Sequence, residues 1–254
     1  DEVAPTTIVW LRLFTSAVVL VAWARPRLRG RSRSDWLVVI CFGAALGSMN
    51  WAIYQAFSRI PLGIAVTIEF AGPLVLAVAG SRRARDLIWI DLAAIGVLLL
   101  GFERADLTLA GVAFALLAGA AWATYILMSA RTGQRWEGLD GLAVASVVAL
   151  VLLSPLTLGG HAGDLDSGHI WMVGLAVGVL SSVIPYSCEL VALRSLRPSL
   201  FGVLMSLEPA AAALAGWAVV GELLSPVQWV ALLCVVAASI GMTRLARSPV
   251  PVVD

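Results

Sequence analysis

Arg12, Asn50, Glu69 and Glu208 each stand near the middle of a long apolar run. A charge at the centre of a bilayer costs about 2.5–3.5 kcal/mol on insertion scales, so such residues face a protein interior or a wet cavity and are functional candidates by default. Three of the four are formally charged; unpaired, they would together cost on the order of 8–10 kcal/mol. Glu69 and Glu208 can attract an ammonium group or take up and release a proton, and the Arg12 guanidinium can meet a carboxylate. An amino-acid zwitterion carries both charges, which an Arg and a Glu suit. The alternative is a permanent ion pair between Arg12 and one glutamate, with the neighbouring small residues serving close helix packing.

Helical spacing attaches further residues to these four. Gly43, Gly47, Asn50 and Tyr54 share one face, as do Ala65, Glu69, Gly72 and Pro73, and again Met205, Glu208, Ala211, Ala212 and Ala215. Arg12 lies with Thr15 and Ser16, Trp122 with Tyr125 and Ser129, and Ser182 with Pro185, Tyr186 and Glu189. Asn50, Tyr54, Trp122, Tyr125 and Tyr186 would give a central cavity hydrogen bonds and aromatic walls; plain packing or interfacial anchoring is the other reading of the aromatics. Pro73, Pro185 and Pro209 each remove a backbone donor, which frees a carbonyl or kinks the helix beside the acidic groups. Glu189, Asp91 and Glu222 fall near the ends of apolar runs, where snorkelling accounts for them.

The elements that must hold these groups are membrane spans. Of 254 residues, 60% are hydrophobic and 13% charged, and the mean hydropathy is +0.94. That is too little charge to clothe a soluble core of this size. Nine apolar segments are read, at about 4–24, 36–58, 62–81, 87–102, 109–129, 139–158, 169–190, 199–220 and 227–243, each near the roughly 20 residues a span needs. They do not alternate polar and apolar at every second position, which excludes a β-barrel. Threading them divides the 17 basic residues, all Arg, very unevenly. Fourteen fall on one side, in the clusters 25–33, 82–85, 131–135, 194–197 and 244–247; the other side holds only Arg59 and Arg104. By the positive-inside rule the Arg-rich side and the C-terminus are cytoplasmic. The all-Arg usage fits a GC-rich bacterial source, hence a bacterial inner (plasma) membrane.

No HExxH, GxSxG or glycine-rich phosphate loop occurs, so neither enzymatic chemistry nor ATP-driven pumping is expected. Cys41, Cys188 and Cys234 lie in apolar runs without ligand spacing and are read as buried thiols. His161 and His169 flank a Gly/Asp-rich loop and are read as solvated. No metal, cofactor or nucleic acid is expected; the oligomeric state is left open.

Shifting the chain by 139 residues lays 63–69 on 202–208, each a Gly, five mostly apolar residues and a Glu. Offsets of 140 and 135 pair Trp89 and Gly101 with Trp229 and Gly241, and Trp36 and Gly43 with Trp171 and Gly178. The matched spans run in opposite directions, the inverted repeat common among secondary transporters, with substrate near the midplane. The division is 1–104 and 105–254. The first half is one span short, so a tenth helix is expected ahead of Asp1; a nine-helix protein with an external N-terminus is the alternative.

Residues 60–74, Ile60-Pro61-Leu62-Gly63-Ile64-Ala65-Val66-Thr67-Ile68-Glu69-Phe70-Ala71-Gly72-Pro73-Leu74, resemble the fourth helix of the EamA branch of the drug/metabolite transporter superfamily. Ser181-Ser182-Val183-Ile184-Pro185-Tyr186, running on to Phe201-Gly202-Val203-Leu204-Met205-Ser206-Leu207-Glu208-Pro209-Ala210, resembles its eighth and ninth helices, and Gly221-Glu222 also fits. The nearest subgroup is the threonine/homoserine exporter-like permeases. The resemblance implies an all-α, ten-helix bundle of two inverted repeats that exports amino acids or related metabolites, driven by the proton gradient. A carrier of drugs or other metabolites, a channel or a lipid flippase on the same scaffold are the alternatives.

Overall fold

The computed structural model describes residues 3–81, 84–100, 107–160, 162–215 and 225–247, and in these it is built from helices. The first three spans are α1 (Pro5–Ala24), α2 (Arg33–Phe57) and the pair α3 (Leu62–Glu69) and α4 (Ala71–Gly80), broken at Phe70. Next come α5 (Ala84–Leu100), α6 (Leu109–Arg135) and α7 (Asp140–Gly160). A 3-10 turn (Ala162–Asp166) leads into α8 (Gly168–Gly178), which passes through a π-helical turn (Val179–Val183) into α9 (Ile184–Leu193). The chain continues through α10 (Pro198–Leu204), α11 (Leu207–Ala215) and α12 (Pro226–Arg247).

Local chemistry sets several of these limits. Pro5, Pro198 and Pro226 open α1, α10 and α12, where a missing N–H costs nothing and the fixed φ suits the first turn. Ser32 and Asp35 form a reciprocal capping box at the start of α2, which satisfies two otherwise unpaired donors. The Thr108 hydroxyl accepts from the Gly111 N–H at 3.2 Å and so caps α6.

Among the described residues, six helical runs are long and apolar enough to cross a bilayer: Pro5–Ala24, Arg33–Phe57, Leu62–Gly80, Leu109–Arg135, Asp140–Gly160 and Gly168–Leu193. Their outer faces expose Leu37, Ile40, Val75, Leu152, Met172 and Leu180, and Leu233 does so on α12. Hydrocarbon is the solvent such a surface requires. The molecule is an all-helical, multi-pass membrane protein.

The interior pairs helices from the two halves of the chain. α1 packs on α7, α4 on α10 and α5 on α12, while α2 lies between α6 and α7. Small residues allow the closest approaches. A Cβ on Gly43 of α2 would stand 2.5 Å from the Ala145 carbonyl oxygen of α7, and one on Gly119 of α6 would stand 2.6 Å from that of Glu69.

Charge is sorted by end. At one end the loops after α1, α6 and α9 meet: the Arg27 N–H donates to Asp140 at 3.1 Å, Arg135 pairs with Asp35 at 3.3 Å, and Arg194 donates to the carbonyls of Trp136 and Gly138. At the other end Asp164 accepts from the Thr7 hydroxyl at 2.8 Å, and Thr108 meets the Arg59 carbonyl.

Two expectations are corrected. Cys41 and Cys234 are only partly buried, and Cys188 is exposed, because lipid accepts a thiol on the outer face of a span as readily as the core does. The span expected at 169–190 runs on to Leu193. Arg82, Arg83, Glu103, Arg104, His161, Gly221, Glu222 and residues 216–220 of the eighth expected span lie outside the described residues.

Candidate functional site: a polar cavity inside the bundle

Proline places the cavity's most conspicuous charge. Pro185 has no N–H, so the carbonyl four residues earlier, that of Ser181, lacks its α-helical donor. The chain there forms a π-turn, with the Ile184 N–H donating to the Val179 carbonyl. Arg12 Nη2 donates to the freed Ser181 oxygen at 3.1 Å, Nε donates to Ser182 Oγ at 3.2 Å, and Nη1 donates to the Tyr54 hydroxyl at 3.0 Å. The guanidinium also sits 5.5 Å from the centre of the Tyr54 ring. Arg12 is 9% exposed, and among the described residues no carboxylate lies within ion-pair distance of it. The permanent Arg12–glutamate pair considered from the sequence is therefore absent. Three of the five guanidinium N–H groups are engaged by these contacts, and the Tyr186 side chain lies beside the guanidinium as well.

The acidic groups arrive on broken helices. Glu69 is the last residue of α3, ahead of the break at Phe70, and Pro73 removes the donor for its carbonyl. Glu208 lies in the first turn of α11, just after the break at Met205 and Ser206, where the helix dipole favours a negative charge. Arg12, Asn50, Tyr54, Glu69, Trp122, Tyr186 and Glu208 line a single cavity of about 240 Å³, together with Met49, Ile53, Phe57, Val66, Phe70 and Glu189. Glu69 is buried, whereas Glu208 keeps a large exposed area, so the two do not occupy equivalent settings. They are close enough to interact electrostatically, as are Glu189 and Glu208.

Asn50 and Tyr186 form a buried pair across the wall. The Asn50 amide donates to the Tyr186 hydroxyl at 2.9 Å, and that hydroxyl stands 3.1 Å from the Asn50 carbonyl oxygen. Trp122 meets Phe70 edge-on at 5.9 Å. The small-and-polar stripe on α2 divides along its length: Gly43 and Gly47 pack on α7, while Asn50 and Tyr54 face the cavity.

Tyr125 is the one expected cavity residue that does not line it. Fully buried behind the wall, its hydroxyl donates to Glu189 Oε2 at 3.0 Å. Glu189, read from the sequence as an interfacial residue, is instead in the cavity lining, because α9 continues to Leu193 and leaves it a turn from the helix end. Its place on one helical face with Ser182 and Tyr186 was the clue to that position. Asp91 is exposed on α5.

The model of the EamA-like transporter family matches residues 109–244. The chain is 42% identical over 241 residues to the threonine/homoserine exporter RhtA of Salmonella typhimurium strain SL1344, covering 93% of this chain and 81% of that one. This chain belongs to the EamA-like transporter family. It is 40% identical over 246 residues to the threonine/homoserine exporter RhtA of Escherichia coli strain K12, at the same coverage. It is 27% identical over 229 residues to the uncharacterized transporter YwfM of Bacillus subtilis, covering 84% of this chain and 75% of that one. A crystal structure 19% identical in sequence superposes with a TM-score of 0.80, over 97% of this chain and 90% of that one; this likeness concerns the fold. The EamA member described here is thus a multi-pass membrane transporter with a half-open cavity lined by Arg12, glutamates and aromatic residues.

Proposed function

We propose that this chain exports small amino acids, threonine and homoserine first among them, from the bacterial cytoplasm by proton antiport with alternating access. The observation that carries the reading is one cavity lined by both Arg12 and the glutamates Glu69, Glu189 and Glu208. Its volume of about 240 Å³ is below the ~300–1,000 Å³ of drug-sized sites, which favours a small zwitterion over a bulky drug. The Arg12 N–H groups not engaged by Ser181, Ser182 and Tyr54 take the substrate carboxylate, a charge-assisted contact stronger than a neutral one. Glu69 and Glu208 take the ammonium group, or a proton when the substrate has left. The names of the relatives at 40–42% identity point to the same substrate class.

Competition for the same carboxylates supplies the coupling. A proton on Glu69 or Glu208 cancels the charge that holds the ammonium, so proton entry from outside expels substrate, and release of the proton inside restores the site. Alternating access follows from two inverted repeats, 1–104 and 105–254, rocking about the cavity. The packing of α1 on α7 and of α5 on α12 supports that division, since each of these helices meets its counterpart at the offset of 135–140 residues, and α4 meets α10 within the matched third and eighth spans. The meeting of the Arg-rich loops at one end supports a cytoplasmic assignment for that end and for the C-terminus.

The test is transport in proteoliposomes. Glu69→Gln and Glu208→Gln each remove a titratable group while keeping its shape. Each is expected to abolish threonine and homoserine transport driven by a pH gradient, with unchanged thermal unfolding in detergent. Full activity in both variants refutes the role given to these carboxylates.

A further inference from the structure

Tyr125, Ser129 and Thr132 of α6, and Trp136 at its C-cap, recur at spacings of four, three and four, so they follow one helical face. All are buried. The face begins where Tyr125 donates to Glu189 in the cavity wall. The Ser129 hydroxyl lies within hydrogen-bonding reach of that of Tyr125, and Thr132 Oγ1 and Trp136 Nε1 have no hydrogen-bond partner among the described residues. Buried polar atoms without a protein partner are rare, and ordered water is the usual partner. Ser129, Thr132 and Trp136 thus define a polar column that follows α6 to its C-cap. From Tyr125 to Trp136 it extends about 16 Å at the α-helical rise. Its far end reaches the Arg-rich loops: Arg31 stacks on the Trp136 ring at 4.4 Å, and Arg194 donates to the Trp136 carbonyl. Gly141, packed against Thr132 and Trp136, is preceded by the buried carboxylate of Asp140.

We propose that this face of α6 is a proton path joining Glu189 in the cavity to the Arg-rich end of the bundle. It rests on the proton-antiport reading above and adds the route by which the proton leaves. When Glu189 is protonated the Tyr125 hydroxyl turns its hydrogen from Glu189 to Ser129, and the Glu189 carboxyl then gives its proton to the Tyr125 oxygen as that hydrogen passes to Ser129. Ser129 and Thr132, bridged by water, repeat the exchange, and the last proton goes to water or to Asp140. Each hydroxyl gains one proton and loses one, so none changes charge once the proton has passed. Tyr125 and Glu189 thus carry the proton away, while Glu69 and Glu208 exchange it for substrate and Arg12 holds the substrate carboxylate.

The experiment compares wild type, the double variant Ser129→Ala/Thr132→Val, and Thr132→Ser in proteoliposomes, with radiolabelled homoserine as the probe. Two rates are read: export driven by a pH gradient, and exchange of labelled for unlabelled homoserine at equal pH. Exchange uses only substrate-loaded states and needs no proton transfer. In the double variant gradient-driven export is expected to fall about tenfold or more while exchange keeps its wild-type rate; Thr132→Ser keeps both. A double variant with wild-type gradient-driven export overturns the path and leaves antiport standing. Loss of both rates together overturns it too, since that is the mark of a structural role. A wild-type protein whose export ignores the pH gradient, while exchange proceeds, overturns antiport itself and the path with it.

Discussion

Arg12 Nη2 stands 3.1 Å from the Ser181 carbonyl oxygen, the acceptor that Pro185 deprives of its helical donor. A charge from α1 thereby completes the backbone of a different span. The same proline that interrupts the helix creates the seat for the guanidinium, so helix irregularity and site charge are two sides of one arrangement.

Replacing Pro185 with Ala supplies the missing N–H and lets the Ser181 oxygen bond within its own helix. Arg12 then loses an acceptor. A hydrogen bond to a charged group contributes about 1.5–3 kcal/mol, so homoserine transport is expected to fall at least tenfold. The unfolding temperature in detergent should rise, because proline in a helix interior costs about 3 kcal/mol. Parallel thermal unfolding and uptake measurements check the opposed signs.

Arg12→Lys keeps the charge and loses the fork. One ammonium cannot reach Ser182 Oγ, the Tyr54 hydroxyl and the Ser181 oxygen and still present two N–H groups to a carboxylate. The concentration of threonine giving half-maximal transport is expected to rise about tenfold or more. An amine of similar size without a carboxyl group should compete equally well in wild type and variant. Competition assays in proteoliposomes separate the two.

Gly119→Ala is expected to force α6 away from the Glu69 carbonyl, which a Cβ would approach to 2.6 Å. Backbone cannot give way there as a flexible side chain would, and overpacking of this kind costs about 1–3 kcal/mol. Gly159→Ala, where a Cβ meets nothing within 4 Å, is the matched control and should unfold as wild type does. Size-exclusion profiles after graded heating report the difference.

Asp35→Ala removes one half of the capping box with Ser32 and the 3.3 Å pair with Arg135. The exposed ion pair contributes little by itself, so the expected loss is that of the cap, about 1 kcal/mol. A lowered unfolding temperature with unchanged transport per folded molecule is the predicted outcome, since α2 reaches the cavity through Met49 to Phe57, several turns away.

The positions of the spans were legible in the sequence because hydrocarbon penalises every unpaired polar group, and that penalty acts residue by residue along the chain. Arg12, Asn50, Glu69 and Glu208 stood out for the same reason. So did the capacity of Pro185 to free a carbonyl, a property of its ring alone. Which group would occupy that carbonyl was not legible: Arg12 took Ser181, Ser182 and Tyr54 rather than a glutamate, because the rotation of α1 against the π-turn decides what its side chain meets. Tyr125 withdrew behind the wall and Glu189 came forward by the same cause, the azimuth of α6 and α9 at their contact. Glu69 and Glu208, matched in the repeat, differ in burial because one ends a helix before a break and the other begins a helix after one. Local transfer energies fix depth in the membrane, whereas the facing of side chains depends on interhelical contacts that no single stretch of sequence contains.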